Sequence, residues 1–280
     1  MILLNGKETS DIFKESLAMK IKKEDNDITL MMIIVGQNPA SLVYVKNKEK
    51  ACAKVGIKSI IHRLDENATQ DQVIDLIQRA NEDKTINGIM VQMPLPKHIN
   101  EEIVINEIKP IKDVDGLTLY NQGLIFADKK GLVSATPKGI LKLLKHYKIE
   151  ISGKHCVVVG RIKLVGKPVG MLMLNNNATV TYAHSKTENL KAICKSADIL
   201  IVAVGKAKFI TADMVKKDAV VIDVGINKVN DMLTGDVDFE SVSNVASYIT
   251  PVPKGVGPMT VYSLLENTYE AYLMQKKAIK

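Results

Sequence analysis

Tyr44 and Lys48 stand four residues apart in SLVYVKNKEKACAKVG, a stretch with no internal glycine or proline before Gly56. The stretch predicts a helix starting near Ser41, and on a helix this spacing puts both side chains on one face. A lysine in a partly closed site can lose enough proton affinity to exchange protons near neutral pH. A tyrosine beside it can hydrogen-bond a ligand and pack its ring against a flat one. The plainer alternative is a core tyrosine and a lysine that solvates a lysine-rich helix.

Further along, VQMPLP places Gln92 between an apolar strand and a proline-fixed loop, where its amide offers both a donor and an acceptor. KDVDG sets Asp113 and Asp115 beside a glycine turn. One carboxylate there can cap local amides while the other accepts from an amino-bearing heterocycle, or both can simply serve the turn. In CVVVGRIKLVGKPVG a buried strand opens onto Gly160 and Gly166 ahead of a helix, so backbone amides and the helix start can approach a pyrophosphate. The order differs from GxGxxG, and a structural turn is the alternative. Arg161 in that loop can engage phosphate oxygens or form a rim salt bridge, with Lys163 and Lys167 adding less directional charge.

TYAHSKT puts His184 and Ser185 directly after a strand, where Ser185 can meet a ribose phosphate and His184 can support the loop. Gly205 and the DVGIN segment, which contains Ile226, form two more strand-end loops on which a nicotinamide ribose and ring can rest. ITPVPKGVGPMT makes Gly255, Gly257, Pro258 and Thr260 either walls of an interdomain cleft or the entry turn of a helix.

The elements that must position these residues follow from hydrophobic period and punctuation. Helix 8–24, strand ITLMMIIVG, the Tyr44 helix, strand IKSIIHRL, helix ATQDQVIDLIQRANED and strand NGIMVQMPLP alternate, and HINEEIVINEI adds a helix before the KPIKDVDGL loop. From about Thr136 the pattern restarts with helix TPKGILKLLKHY and strands KHCVVVGR, ATVTYAH, ADILIVAVG and AVVIDVGI, as expected for a parallel sheet covered by helices. The segment TVYSLLENTYEAYLMQKK closes the chain as a helix. The fold class read here is α/β with two domains: an N-terminal α/β substrate domain over 1–120 and a Rossmann-like dinucleotide-binding domain over 136–255. A cleft is expected between them, with the helix of 260–280 packing back on the first domain.

A chain of 280 residues, 46% hydrophobic and 25% charged, has ordinary globular composition. The net charge of +7 is carried by scattered lysines, because Arg63, Arg79 and Arg161 are the only arginines. The lysines form no aromatic-interleaved patch, so no nucleic-acid partner is expected. No run resembles a membrane span, and Cys52, Cys156 and Cys194 show no metal-ligand spacing. Reduced thiols, no bound metal and a cytoplasmic location follow as expectations.

The ordered set of Tyr44 with Lys48, VQMPLP, KDVDG, ATPKG, VVVGRIKLVGKP, ATVTYAHSKT, DVGIN and ITPVPKGVGPMT closely resembles the bifunctional methylenetetrahydrofolate dehydrogenase/cyclohydrolase family. The resemblance covers nearly the whole chain. It implies oxidation of 5,10-methylenetetrahydrofolate to the methenyl form with NADP, then hydrolysis to 10-formyltetrahydrofolate in a homodimer formed mainly through the cofactor domains. It further implies Lys48 as the proton-transfer residue, Tyr44 positioning or stacking on the folate, Gln92 assisting Lys48, Asp115 binding the pterin edge, and Gly255, Gly257 and Pro258 shaping the wall. Gly160, Arg161, Ile162, Gly166, Ser185, Gly205 and Ile226 would hold the cofactor, Arg161 and Ser185 at its extra ribose phosphate.

Three departures stand out. GRIKLVG replaces GRSxxVG, so Ile162 lacks a phosphate-binding hydroxyl and NAD use becomes possible. PVPKGVGP replaces PVPGGVGP, so Lys254 is strained if that position needs a positive φ and faces solvent or the folate tail otherwise. SATP replaces PCTP without removing a site residue. Two alternatives remain: an NAD-dependent dehydrogenase with weak or absent cyclohydrolase activity, and a non-catalytic folate- or dinucleotide-binding regulator.

Overall fold

The computed structural model describes residues 1–24 and 27–278. In chain order the strands are β1 (Ile2–Leu3), β2 (Ile28–Val35), β3 (Ile57–Leu64), β4 (Gly88–Val91), β5 (His155–Val159), β6 (Thr179–Ala183), β7 (Ile199–Val202), β8 (Val220–Asp223), β9 (Asn227–Val229), β10 (Met232–Thr234) and β11 (Tyr248–Ile249). The helices are α1 (Gly6–Ile21), α2 (Pro39–Val55), α3 (Gln70–Glu82), α4 (Glu101–Asn106), α5 (Leu119–Phe126), α6 (Ala135–His146), α7 (Gly166–Asn175), α8 (Leu190–Lys195), α9 (Phe239–Val242) and α10 (Val256–Ala278). The chain divides into two compact units: Ile12–Ala135 with Val261–Lys280, and Met1–Asp11 with Thr136–Thr260.

In the first unit a parallel sheet runs β3-β2-β4. Its centre, ITLMMIIV, is buried at all eight positions, which is why it reads as a continuous apolar run, whereas the edge strand β3 alternates toward solvent. Helix α3 starts at a capping box in which Thr69 and Gln72 satisfy each other's backbone N–H groups. It then buries Val73, Ile77 and Ala80 against Met31, Ile33, Ile89 and Val91. Asn267 of α10 donates to the carbonyls of Val114 and Val133, both at 2.7 Å, so the later turns of that helix belong to this unit.

The second unit carries a six-stranded sheet in the order β1-β11-β8-β7-β5-β6, parallel at every pairing. From β5 the chain steps to β6 on one side and then to β7 on the other, which makes the carboxyl ends of β5 and β7 the topological switch point. Val157, Val159, Leu200, Val202 and Val221 form part of its core.

The structure departs from the sequence expectation in several places. Met1–Asp11 was assigned to the first domain, but β1 pairs in parallel with β11, Ile2 opposite Tyr248, and joins the second unit. A two-residue strand has no period to detect; only its partner defines it. Residues 121–135, left between the expected domains, belong to the first unit. Helix α10 begins at Val256, four residues before the expected start, and Pro258 sits in its first turn, where a missing N–H costs nothing. The β9–β10 hairpin and α5 have no counterpart in the sequence reading. Among the described residues no helix is long and apolar enough to cross a membrane.

Candidate active site and dinucleotide-binding loops

In the first unit, α2 carries Tyr44 and Lys48 on successive turns, and Tyr44 is 45% exposed, so its ring is available to a ligand. Lys48 is half-buried. Its Nζ donates to Gln92 Oε1 at 3.1 Å and lies 3.5 Å from Met90 Sδ, at the carboxyl end of β4. Gln92 Nε2 donates to the Met93 carbonyl at 2.7 Å, which turns Oε1 toward the lysine. Burial lowers the Lys48 pKa below the usual lysine value, and the Asp115 carboxylate works against that shift. One turn further along α2, burial pushes the Cys52 thiol up to about 12, so it stays neutral beside the lysine.

The two aspartates of KDVDG separate by role. Asp113 is buried and accepts from Leu117 N, Thr118 N and Asn121 Nδ2 at 3.2, 2.8 and 2.9 Å, so it holds the turn. Asp115 has no hydrogen-bond donor to its carboxyl among the described residues. Burial raises its pKa, the nearby Lys48 lowers it, and Asp113 adds to the rise. The structure therefore leaves Asp115, not Asp113, open to a ligand and brings it electrostatically to Lys48. Ser134, where the family pattern has proline, is fully buried and donates to the Gly116 carbonyl at 2.8 Å. Together with the Ala135 N–H on the Asp115 carbonyl at 3.2 Å, it staples the turn, a contribution the sequence reading did not include.

In the second unit, Gly160 ends β5 at φ +124°, and a Cβ there would run into the Ala203 carbonyl at the switch point. A Cβ on Gly166 would meet the Gly160 carbonyl, so α7 starts tight against the strand end. Val165 gives that start no side-chain cap, which fits a helix N-terminus that receives a phosphate. Val159 and Ala183 are register partners, so Arg161 and Ser185, each two residues further on, leave adjacent strands at the same level. Arg161 is exposed and has no ion-pair partner among the described residues, so the rim salt bridge is not formed. Ile162 is 51% exposed in the same loop. His184 is a loop support: its N–H donates to Thr187 Oγ1 at 2.8 Å and its Nδ1 accepts from Lys186 N at 3.2 Å.

Gly205 follows β7 at φ +66° and is exposed, and Ile226 follows β8 and is 51% exposed. Ile226 lines a pocket of about 90 Å³ with Gly255, Gly257 and Pro258, so the DVGIN loop and the glycine-proline turn meet within this unit. Lys254 lies at φ +81°, which resolves the sequence alternative in favour of a position suited to glycine. Sequence reasoning missed Asp223 and Asp236 as organisers of these loops. Asp223 was visible only as the start of DVGIN, and nothing local marks Asp236.

Residues 4–115 match the tetrahydrofolate dehydrogenase/cyclohydrolase catalytic domain, and residues 134–276 match the NAD(P)-binding domain of the same family. The chain is 51% identical over 279 residues to the bifunctional protein FolD of Acetivibrio thermocellus, covering 98% of each. The structure resembles the bifunctional FolD methylenetetrahydrofolate dehydrogenase/cyclohydrolase of Campylobacter jejuni, with TM-score 0.96, 44% identity and coverage of 98% and 99%. It also resembles the Trypanosoma brucei enzyme complexed with NADP cofactor and inhibitor, with TM-score 0.94, 33% identity and coverage of 100% and 99%. On the two domain matches and the near-complete coverage at this identity, the chain belongs to the tetrahydrofolate dehydrogenase/cyclohydrolase family.

Proposed function

We propose that this protein oxidises 5,10-methylenetetrahydrofolate to 5,10-methenyltetrahydrofolate with NADP and hydrolyses the product to 10-formyltetrahydrofolate. The folate is held by the unit of Ile12–Ala135 and the dinucleotide by that of Thr136–Thr260. The observation that carries the reading is the Lys48 amine, half-buried against Gln92 and lowered in proton affinity by burial. The bifunctional relatives and the NADP complex of the Trypanosoma brucei enzyme support both steps and the cofactor.

Tyr44 packs its exposed ring on the pterin, and Asp115 accepts from the pterin amino edge. Bound NADP supplies the acceptor for the hydride leaving the folate methylene. Gly160, Gly166 and the start of α7 receive its pyrophosphate, Arg161 and Ser185 its ribose phosphate, and Gly205 and Ile226 its nicotinamide half. Gly255, Gly257 and Pro258 shape the wall beside Ile226. In hydrolysis, Lys48 takes one proton of the water that adds to the methenyl carbon and passes it to the ring nitrogen as the carbon–nitrogen bond opens, while the remaining hydroxyl proton leaves to solvent as the formyl C=O forms. Gln92 keeps the amine aimed during that exchange. The reading includes a homodimer built mainly through the cofactor-binding units, no nucleic-acid partner and a cytoplasmic location; three buried free cysteines support a reducing compartment.

NAD use without efficient hydrolysis is the second reading, favoured by Ile162 standing exposed where a hydroxyl would serve the phosphate. Oxidation of methylenetetrahydrofolate with NADP and with NAD, resolving methenyl from 10-formyl product, separates the two. Lys48→Met should lower hydrolysis by about 10²-fold or more while NADP affinity is retained. Unaltered hydrolysis in that variant would remove Lys48 from the proton path.

A further inference from the structure

Two carboxylates buried in the second unit do no work in the scheme above. Asp236 is 0% exposed and accepts four hydrogen bonds. Its Oδ2 takes the N–H groups of Val204 and Gly205 at 2.6 and 2.9 Å. Its Oδ1 takes Lys206 N at 2.8 Å and Asn227 Nδ2 at 2.9 Å. Both oxygens are used twice, and every partner is a donor. An ionised carboxylate meets that demand, whereas an asparagine amide would set its NH₂ against one pair of donors.

Behind it, Asp223 at the end of β8 accepts Gly225 N and Asp236 N on Oδ1 and Val237 N on Oδ2, each at 2.9 Å. Asp223 therefore fixes the backbone of the residue that fixes the loops. The close fit extends to the glycines: a Cβ on Gly225 would collide with the Asp236 carboxylate, and one on Gly235 with that of Asp223. The segments gripped in this way are 204–206 and 225–227, which contain Gly205 and Ile226.

We propose that Asp236, seated by Asp223, is the positioning residue for the nicotinamide half of the cofactor, setting where Gly205 and Ile226 stand. This rests on the dehydrogenase reading. Asp236 touches no reacting atom, so its influence reaches hydride transfer only through the two loops. Hydrolysis needs no nicotinamide, so the clasp reaches it only through the contact of Ile226 with the Gly255–Pro258 turn, and its effect there is the smaller.

The test compares wild type, Asp236→Asn and the milder Asn227→Ala, which removes one donor from the clasp. Four quantities are read: NADP affinity by calorimetry, dehydrogenase kcat, KM for NADP, and hydrolysis of added methenyltetrahydrofolate. In Asp236→Asn the dehydrogenase kcat/KM for NADP should fall by about 10-fold or more, with hydrolysis within about 2-fold of wild type. Asn227→Ala should show the same split at roughly several-fold and carries the test if Asp236→Asn does not fold. Equal losses in both activities, or no loss in either, overturn the assignment. Wild type that binds NADP without turnover defeats the dehydrogenase reading, while the clasp is then judged on the loss of affinity in the variants. Wild type that binds neither NADP nor NAD defeats both, and wild type that takes only NAD moves the same comparison to that cofactor.

Discussion

At the scale of single residues, the chemistry depends on which groups are already engaged. Asp113 and Asp115 are two positions apart and identical in type, yet Asp113 spends its carboxylate on Leu117, Thr118 and Asn121 while Asp115 acts on Lys48. The Asp115 charge favours the ammonium form of Lys48, against burial, which favours the neutral amine. Asp115→Asn removes the larger of the charges that oppose burial, so the lysine pKa falls further and the neutral amine exists at lower pH. At saturating folate, the acid limb of the hydrolysis pH profile should therefore move to lower pH; a limb that stays or moves up would show that the two groups are not coupled. The sequence supplied both aspartates and the lysine, but a motif does not say which carboxylate its own turn consumes.

At the scale of elements, the turn before α10 holds a non-glycine residue at a position shaped for glycine. Lys254 stands at φ +81°, and its carbonyl accepts the Lys7 N–H at 3.0 Å, which ties the strained turn to the start of α1. An L-residue with a Cβ in this region costs about 1–2 kcal/mol. Lys254→Gly should raise stability by about 1 kcal/mol, part of the relief being offset by the freer unfolded chain. Thermal unfolding would then shift upward by roughly 2–4 °C, and an unchanged or lower midpoint would contradict the strain argument. Elements with a strong pattern, the unbroken apolar run of β2, the alternation of β3 and the helical period of α3, were readable because burial on one or both faces imprints that pattern on composition. The hairpin β9–β10 and the short β1 and β11 lack it.

At the scale of the whole molecule, the excess of 38 lysines and arginines over 31 carboxylates leaves a net charge of +7 on a protein whose proposed ligands are anions. Scattered lysines produce a diffuse positive field, not a recognition patch, and such a field acts through encounter. Raising ionic strength from about 10 to about 150 mM shortens the screening length from roughly 30 to roughly 8 Å. The KM for NADP should rise several-fold over that range, roughly the lower end of electrostatic steering, with kcat nearly constant. Initial rates across a salt series check this, and a flat KM would confine the electrostatics to local contacts such as Arg161.

The sequence by itself determined the α/β alternation, the lysine and tyrosine on one helix face, and the glycine-rich strand-to-helix loop, because each is a local pattern written within a few turns of chain. Tertiary structure alone decided that Gln92 presents its oxygen to Lys48 from 44 residues away, that β1 crosses into the second sheet, and that Asp236 gathers a loop 32 residues earlier. Hydrogen bonds between distant segments leave no period behind. They come into being only when the chain's packing brings donor and acceptor to the same place.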